Sequence, residues 1–322
     1  MKGDIMYFIY GAGFLAVFMI IYSIIEQRFL QVTRYKISSN NLPKKYDGTS
    51  FIVLADLHNC SYGINNIRLI RKIERLSPDF ILVAGDMIVK DKRSYPSVAF
   101  SLLEKLSSKY PVYYGYGNHE QALELSCDSS WLEYKAELEK RGIIFLKNDS
   151  IPLSAKFKAN NKSNIYNKDN HRSHDKKQLN YEVKQGDIRI IGLTIDSSYF
   201  SRFTDMVMDK DYLKNLLPKD IDRDYKILLA HTPDYFDNYM EWGADLVVSG
   251  HLHGGLVRLP WIGGVISPQV KLFPKYDAGL FSQDGKNMIV SRGLGSHSIM
   301  LRIFNRPEIV SIKLIRENNR NI

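Results

Sequence analysis

Residues 51–58 read FIVLADLH, a run of five apolar residues followed by an aspartate and, two positions later, a histidine. A run this short, rich in branched side chains, is typical of a buried β-strand rather than a helix. Asp56 and His58 would then lie at the carboxyl end of that strand. In α/β sheets this end is where ligands bind.

The same pattern of an apolar run followed directly by polar residues occurs four more times. The runs and their endings are FILVA (80–84) with Gly85-Asp86, VYYGY (112–116) with GNHE (117–120), KILLA (226–230) with His231, and ADLVVS (244–249) with GHLH (250–253). One such ending would be an ordinary polar turn. Five endings that hold five of the chain's eight histidines predict a single shared site.

Helical patterns separate several of these runs. Apolar residues recur at three-residue spacing through Ile64–Leu76, and Trp131–Arg141 is followed by Gly142, a helix stop signal. Further strand-like runs occupy 188–195 and 288–291. The alternation predicts an α/β fold with substantial parallel sheet. The last apolar run, near 299–315, predicts a β-hairpin that closes the domain.

The N-terminus has a 21-residue stretch without charge, from Ile5 to Ile25, which matches the length of a transmembrane helix. A signal peptide is the alternative, but the stretch exceeds the usual apolar core of about 7–15 residues and has no A-x-A cleavage site. We therefore predict a membrane helix at 5–25 and a basic linker at 26–48. Five of the six Lys and Arg residues near the helix follow it, which predicts a single-pass cell-membrane protein with its main domain in the cytoplasm.

The formal net charge of +9 is unevenly placed. Residues 155–181 hold seven Lys and Arg against two Asp and are poor in apolar residues, which predicts a flexible polar insert in a domain at 49–316. Apart from this insert and the linker, the chain is close to neutral, so we expect no specific nucleic-acid binding. The cysteines, Cys60 and Cys127, are too few for a disulfide framework.

The strand ends offer seven oxygen and nitrogen donors and no thiolate. They are Asp56, His58, Asp86, Asn118, His231, His251 and His253. Seven donors are too many for one open catalytic ion and suit two divalent ions that share a carboxylate. Mixed imidazole and carboxylate ligands favour Mn, Fe, Zn or Co over Ca or Mg, and we take Mn as the first choice.

In this order, the motifs D-x-H, G-D, G-N-H-E, a lone His and G-H-x-H resemble those of the calcineurin-like metallophosphoesterases, in particular small membrane-associated bacterial members. The resemblance implies a four-layer α-β-β-α sandwich of two mixed β-sheets. It also implies one metal on Asp56, His58 and His253, a second on Asn118, His231 and His251, and Asp86 as the bridge. His119 would lie over the phosphate as the catalytic residue. Position 88 is Ile, which argues against an iron–tyrosinate centre.

The implied reaction is hydrolysis of phosphate esters, with phosphodiesters as the first choice, by attack of a metal-bound hydroxide on phosphorus. Substrate-binding residues are not assigned. The apolar segment 256–281 is either an ordinary loop under the site rim or a lip that admits a lipid-linked substrate. The alternatives are a nuclease or nucleotide phosphodiesterase of the same superfamily and a non-catalytic scaffold. A scaffold could lose ligands, yet all seven are present.

Overall fold

The structure is a computed structural model that describes residues 2–90, 96–153, 186–201, 206–218, 223–296 and 300–317. The polar insert predicted at 155–181 lies outside the described residues. The described helices are α1 (Lys2–Glu26), α2 (Ile67–Leu76), α3 (Ser97–Ser107), α4 (Asn118–Leu125), α5 (Ser129–Lys140), α6 (Tyr212–Leu216) and α7 (Phe236–Trp242).

The strands in the first half of the chain are β1 (Gln31–Ser39), β2 (Ser50–Leu54), β3 (Phe80–Ala84), β4 (Val112–Gly115), β5 (Ile144–Leu146) and β6 (Asp149–Pro152). Those in the second half are β7 (Ile188–Leu193), β8 (Tyr225–Ala230), β9 (Leu246–Ser249), β10 (Val257–Leu259), β11 (Gly263–Ile266), β12 (Gly279–Gln283), β13 (Lys286–Val290) and β14 (Glu308–Arg316).

Two six-stranded mixed sheets form the body of the protein. The first has the order β1-β14-β2-β3-β4-β5, in which β2 to β5 are parallel to one another. The second has the order β12-β13-β9-β8-β7-β6, with β13, β9, β8 and β7 parallel. Strands β10 and β11 pair separately as a small antiparallel sheet. The predicted α/β class with two mixed sheets is confirmed.

The two large sheets face each other across an apolar layer, and helices cover their outer faces. In β3, Leu82 points into the layer between the sheets, whereas Ile81 and Val83 pack against the helices of the first sheet. This alternation follows from the two-residue period of a strand. Burial on both faces explains why the strands read as continuous apolar runs. Helices α6 and α7 cover the second sheet, which completes four layers.

Two predictions about the chain ends are wrong. Residues 31–39 of the predicted basic linker form β1, which pairs in parallel with β14 along its whole length. The predicted hairpin near 299–315 is instead this single strand, β14, which lies between β1 and β2. Local sequence patterns do not predict this pairing, because it joins residues far apart in sequence. Neither β1 nor β14 pairs with the strand next to it along the chain.

Helix α1 is long and apolar enough to cross a membrane, and almost none of its most apolar window is buried. Its apolar side chains face outward all around the helix, as lipid contact requires. By length and composition it is a candidate membrane span that agrees with the predicted 5–25.

Candidate metal centre

The polar residues predicted to form one site lie at the carboxyl ends of strands from both large sheets. Asp56, Asp86 and Asn118 follow β2, β3 and β4 of the first sheet. His231 follows β8 and the two histidines of GHLH follow β9 of the second sheet. Parallel strands in each sheet end at one edge, and the two edges meet, so residues far apart in sequence come together.

Three groups of side chains have ligand atoms within 4.8 Å of one another. The groups are Asp56 with His58 and His253, His58 with Asp86 and His119, and Asp86 with His231 and His251. The Nε2 atoms of His58 and His253 are 3.2 Å apart, and Nε2 of His231 is 3.1 Å from Oδ2 of Asp86. Oδ1 of Asp56 lies 3.7 Å from His253 Nε2 and 3.9 Å from His231 Nε2.

Backbone carbonyls determine which nitrogen is available on two of these rings. Nδ1 of His231 lies 2.7 Å from the Ala84 oxygen, and Nδ1 of His253 lies 3.0 Å from the Gly295 oxygen. A carbonyl oxygen only accepts hydrogen bonds, so each Nδ1 carries the proton. In the neutral rings, the lone pair of Nε2 then points into the site, which is the usual arrangement of histidine ligands to metals.

His119 has the opposite arrangement. The backbone N–H of Lys90 donates to its Nδ1 at 2.9 Å. Because Nδ1 accepts, the proton of the neutral ring is on Nε2, which lies 3.8 Å from Oδ2 of Asp86. Burial lowers the pKa of His119, which favours this neutral form. Such a ring can donate a hydrogen bond from Nε2 but offers no lone pair there.

Asn118 supplies a further donor. Its Oδ1 is buried and accepts no hydrogen bond from any described residue. A buried carbonyl oxygen without a partner is costly, since it has lost its hydration. It suits a site where a cation completes the coordination. On these observations, the donor set fits divalent metal ions.

Several of these residues adopt backbone conformations that side chains disfavour. Positive φ angles occur at Asp56 (51°), His58 (47°), Asp86 (54°), His251 (71°) and His253 (53°). Left-handed conformations are strained for residues other than glycine and persist where the surrounding structure requires them. The sharp turns direct these side chains into the space between the two sheet edges.

Two glycines allow the turns to pack closely. Gly85 has φ of 89°, and a Cβ there would collide with the backbone of Gly117. A Cβ at Gly250 would collide with the carboxylate of Asp56. The strand ends can therefore approach each other only without side chains at these positions.

Glu120 holds the turn that carries Asp86. Its carboxylate accepts backbone N–H groups from Asp86 at 2.8 Å, Met87 at 2.9 Å and Gly117 at 2.9 Å, and the Tyr114 hydroxyl at 2.7 Å. Sequence reasoning gave this residue no role. A glutamate three positions into a helix is nevertheless the signature of a capping interaction, and that signal was available.

Burial and neighbouring charges compete in setting the pKa values of the site. It raises the pKa of Asp56 to about 7 and lowers that of His251 to about 3. Burial also pushes the pKa of Asp86 upward, but the charge of His231 and its hydrogen bond outweigh burial and hold this pKa well below its usual range. In turn, Asp86 and Asp56 outweigh the effect of burial on His231 and raise its pKa to about 10. A cation bound by His231 would replace the second proton that the ring carries when it is charged.

The site opens into a cavity of about 880 Å³. Besides the predicted residues, Lys90, Gln121, Phe200 and Gln269 line it. The Gln269 side-chain amide donates to the His251 carbonyl at 3.0 Å. No sequence pattern marks Gln269 because it lies in an irregular loop.

Comparison with known proteins supports the same interpretation. The sequence model of the calcineurin-like phosphoesterases matches residues 49–255, which include every predicted site residue. The chain belongs to the calcineurin-like phosphoesterase family. It is thus a metal-dependent phosphoesterase of a family that uses two metal ions, and its His and Asp clusters are the candidate metal site.

The chain matches two relatives over most of both sequences and a third over a shorter stretch. The chain is 24% identical to the uncharacterized metallophosphoesterase YkuE of Bacillus subtilis, over 91% of this chain and 88% of the relative. It is 28% identical to UDP-2,3-diacylglucosamine pyrophosphatase LpxG of Chlamydia trachomatis, over 91% and 92% of the two chains. A shorter match, 33% identical over 28% of this chain and 32% of the relative, is to phosphodiesterase YaeI of Escherichia coli.

Proposed function

We propose that this protein is a membrane-anchored phosphodiesterase with two divalent metal ions. The observation that supports the proposal is the convergence of nitrogen and oxygen donors from two sheets, six of them in groups whose ligand atoms lie within 4.8 Å of one another. Two of the imidazoles among them, His231 and His253, hold Nδ1 against a backbone carbonyl, which leaves Nε2 facing the site. Such a cluster serves no packing purpose, because burying these groups without a cation is costly.

We assign the ligands in two sets that share one carboxylate. Asp56, His58 and His253 would hold one ion, Asn118, His231 and His251 the other, and Asp86 both. Mn is our first choice, with Fe and Zn as alternatives. Two such ions, when bound, supply the Lewis acidity that neutralises phosphate oxygens and lowers the pKa of water.

His119 is proposed to stabilise the leaving oxygen of the ester. Its neutral ring can donate a hydrogen bond from Nε2–H to that oxygen as negative charge develops there, while the Lys90 amide fixes the ring through Nδ1. The lowered pKa of the ring favours this neutral form.

A lipid-linked phosphodiester or pyrophosphate is the proposed substrate class. It is supported by the apolar helix α1, by apolar residues such as Leu125 and Phe200 at the cavity, and by the name of the LpxG relatives. The name of YaeI supports a diester rather than a monoester.

We further propose one catalytic domain that begins with β1 and ends with β14, anchored by α1, with the catalytic side in the cytoplasm. The excess of Lys and Arg after α1 supports this orientation. Accessibility of exposed Cys127 to a membrane-impermeant thiol reagent in intact and in lysed cells tests it. Labelling of Cys127 in intact cells would show that the catalytic side faces outward, opposite to the proposed orientation.

The substrate proposal is tested with the full chain in Mn²⁺. We expect bis(p-nitrophenyl) phosphate to be cleaved faster than the monoester, and a lipid pyrophosphate in mixed micelles to have a higher kcat/KM than a soluble nucleotide sugar. Preference for the monoester would contradict the diesterase assignment. Preference for single-stranded DNA over all of these would favour the nuclease alternative.

A further inference from the structure

A small apolar sheet lies beside the C-terminal end of α1. The Arg258 N–H donates to the Ile303 carbonyl at 2.9 Å, and the Ile303 N–H to Leu256 at 3.0 Å. On the other side, the Phe273 N–H donates to Val265 at 2.9 Å. Four neighbouring segments thus form one layer, which we call the apolar platform. It comprises residues 256–259, 263–266 with their connecting turn, 270–273 and 300–304.

Seven large apolar side chains of this platform are more than half exposed, although Leu256, Arg302 and Ile303 are buried. Trp261, at the turn between β10 and β11, has a relative exposure of 102%. Six other large apolar residues of the platform are more than half exposed, namely Ile262, Val270, Leu272, Phe273, Met300 and Phe304. Contiguous exposed apolar surface of this kind marks a contact with a partner or a membrane.

Four of these residues are also strained. Positive φ angles occur at Trp261 (64°), Val270 (67°), Phe273 (47°) and Phe304 (52°). Glycine or asparagine would adopt this conformation with less strain and would be better hydrated. Large apolar side chains at such positions lower stability in water for two reasons, the exposure of apolar surface and the strain of the backbone. Contact with an apolar phase would offset both.

The platform is attached to the last turns of α1. The rings of Phe304 and Tyr22 are 5.4 Å apart, and the Arg302 N–H donates to Ser23 Oγ at 2.8 Å. The Gln27 side chain donates to the Met300 carbonyl at 3.1 Å. The β-bridge between residues 257 and 303 is parallel. The chain from 257 toward Trp261 and the chain from 303 toward Phe304 therefore run in the same direction.

We propose that the apolar platform is a second membrane contact, which lies in the bilayer surface where α1 enters and places Trp261 and Ile262 at interface depth. The inference rests on the proposal that α1 spans the membrane. Continuity with that helix identifies the partner as lipid rather than another protein. Tryptophan favours the membrane interface, and apolar faces bury there by about 5–10 Å.

The platform is tied to the metal centre as well. The Asn305 side chain donates to the carbonyls of His253 and Gly255, and Gln269 donates to that of His251. Docking of the platform therefore holds the GHLHGG loop at a fixed distance from the lipid headgroups. A phosphoester carried by a membrane lipid could then reach the site while its acyl chains stay in the bilayer.

The test uses the full chain reconstituted in vesicles of phosphatidylcholine and phosphatidylglycerol that contain brominated lipid, which quenches nearby tryptophan. The chain has three tryptophans. Trp131 is buried, and Trp242 lies in α7 beneath the Lys226 ammonium. We expect the quenched fraction of the emission in the wild type to be absent in Trp261→Phe. Equal quenching in both proteins, or quenching of Trp261 by aqueous iodide, would overturn the proposal.

A functional measurement uses Phe273→Asp, with Leu132→Asp on α5 as the control because it is also an exposed apolar residue. We expect Phe273→Asp to raise KM for a vesicle-borne phosphodiester about tenfold and to leave bis(p-nitrophenyl) phosphate hydrolysis unchanged. An equal KM in both variants would contradict the docking role. Release of the wild-type chain from membranes by alkaline carbonate would instead contradict the proposal that α1 spans the membrane. Absence of hydrolysis in every protein would contradict the proposed activity.

Discussion

At the scale of single residues, the hydrogen bond to Nδ1 divides the buried imidazoles into two kinds. His231 and His253 donate from Nδ1 to carbonyl oxygens, whereas His119 accepts an amide N–H there. All three rings are buried and close together, so their position alone does not distinguish their roles. The backbone partner does, because it decides which ring nitrogen faces the site.

We expect His119→Ala to keep its metal content and to lose about 10²–10³-fold in kcat, which is the usual cost of removing one hydrogen-bond donor from developing negative charge. Metal content by mass spectrometry and turnover of bis(p-nitrophenyl) phosphate check this. His231→Ala is the matched comparison and should lose metal. Loss of metal from His119→Ala would show that its ring is a ligand.

Glu120→Gln tests the support of the Asp86 turn. Each carboxylate oxygen of Glu120 accepts two hydrogen bonds, and at least one donor in each place is a backbone N–H, which a side-chain NH₂ group cannot satisfy. Unsatisfied buried groups cost about 1–3 kcal/mol each, and we expect a loss of that order in the free energy of unfolding. Urea denaturation measures it, with exposed Glu133→Gln as control. Equal stability of the two variants would mean that Glu120 is protonated and can tolerate the amide.

At the scale of elements, the sequence predicts the strands that are buried on both faces and fails at the edge. β2, β3, β8 and β9 are continuous apolar runs, and their polar ends could be recognised without a structure. β1 reads QVTRYKISS, with charged side chains on its outer face, and resembles a linker. Its partner β14 is nearly the whole chain away, so no local pattern reveals the pair. The helix position of Glu120 signals its capping contact with Gly117, but its contacts with the Asp86 turn and the role of Gln269 join residues that no local pattern connects.

The assignment of β1 to the domain has a measurable consequence. Ile37 is buried among residues between the two sheets, while neighbouring Lys36 is exposed. We expect Ile37→Ala to lower the free energy of unfolding by about 2–4 kcal/mol, as for other buried aliphatic truncations. Lys36→Ala should change it by less than about 0.5 kcal/mol. Chemical denaturation of both variants decides, and equal, small effects would restore the linker interpretation.

At the scale of the whole molecule, the candidate metal centre lies between the two halves of the sandwich. Asp56, Asp86 and Asn118 come from the first sheet, and His231, His251 and His253 from the second. Ions held by both sets would bind only when the two sheets face each other. The unfolded chain has no such arrangement, so binding free energy adds to folding free energy.

Removal of metal should therefore destabilise the whole domain. A ligand at 100 times its dissociation constant stabilises the folded state by about 2.7 kcal/mol, and about 1 kcal/mol shifts Tm by roughly 2–4 °C in a domain of this size. We expect EDTA to lower Tm of the detergent-solubilised chain by roughly 5–10 °C and added Mn²⁺ to restore it, as followed by tryptophan fluorescence. His119→Ala should show the same shift, because its ring is not a proposed ligand, whereas His231→Ala should show little. If EDTA leaves the wild-type Tm unchanged, or if it lowers the Tm of His231→Ala by the full amount, the cluster does not hold metal across the two sheets.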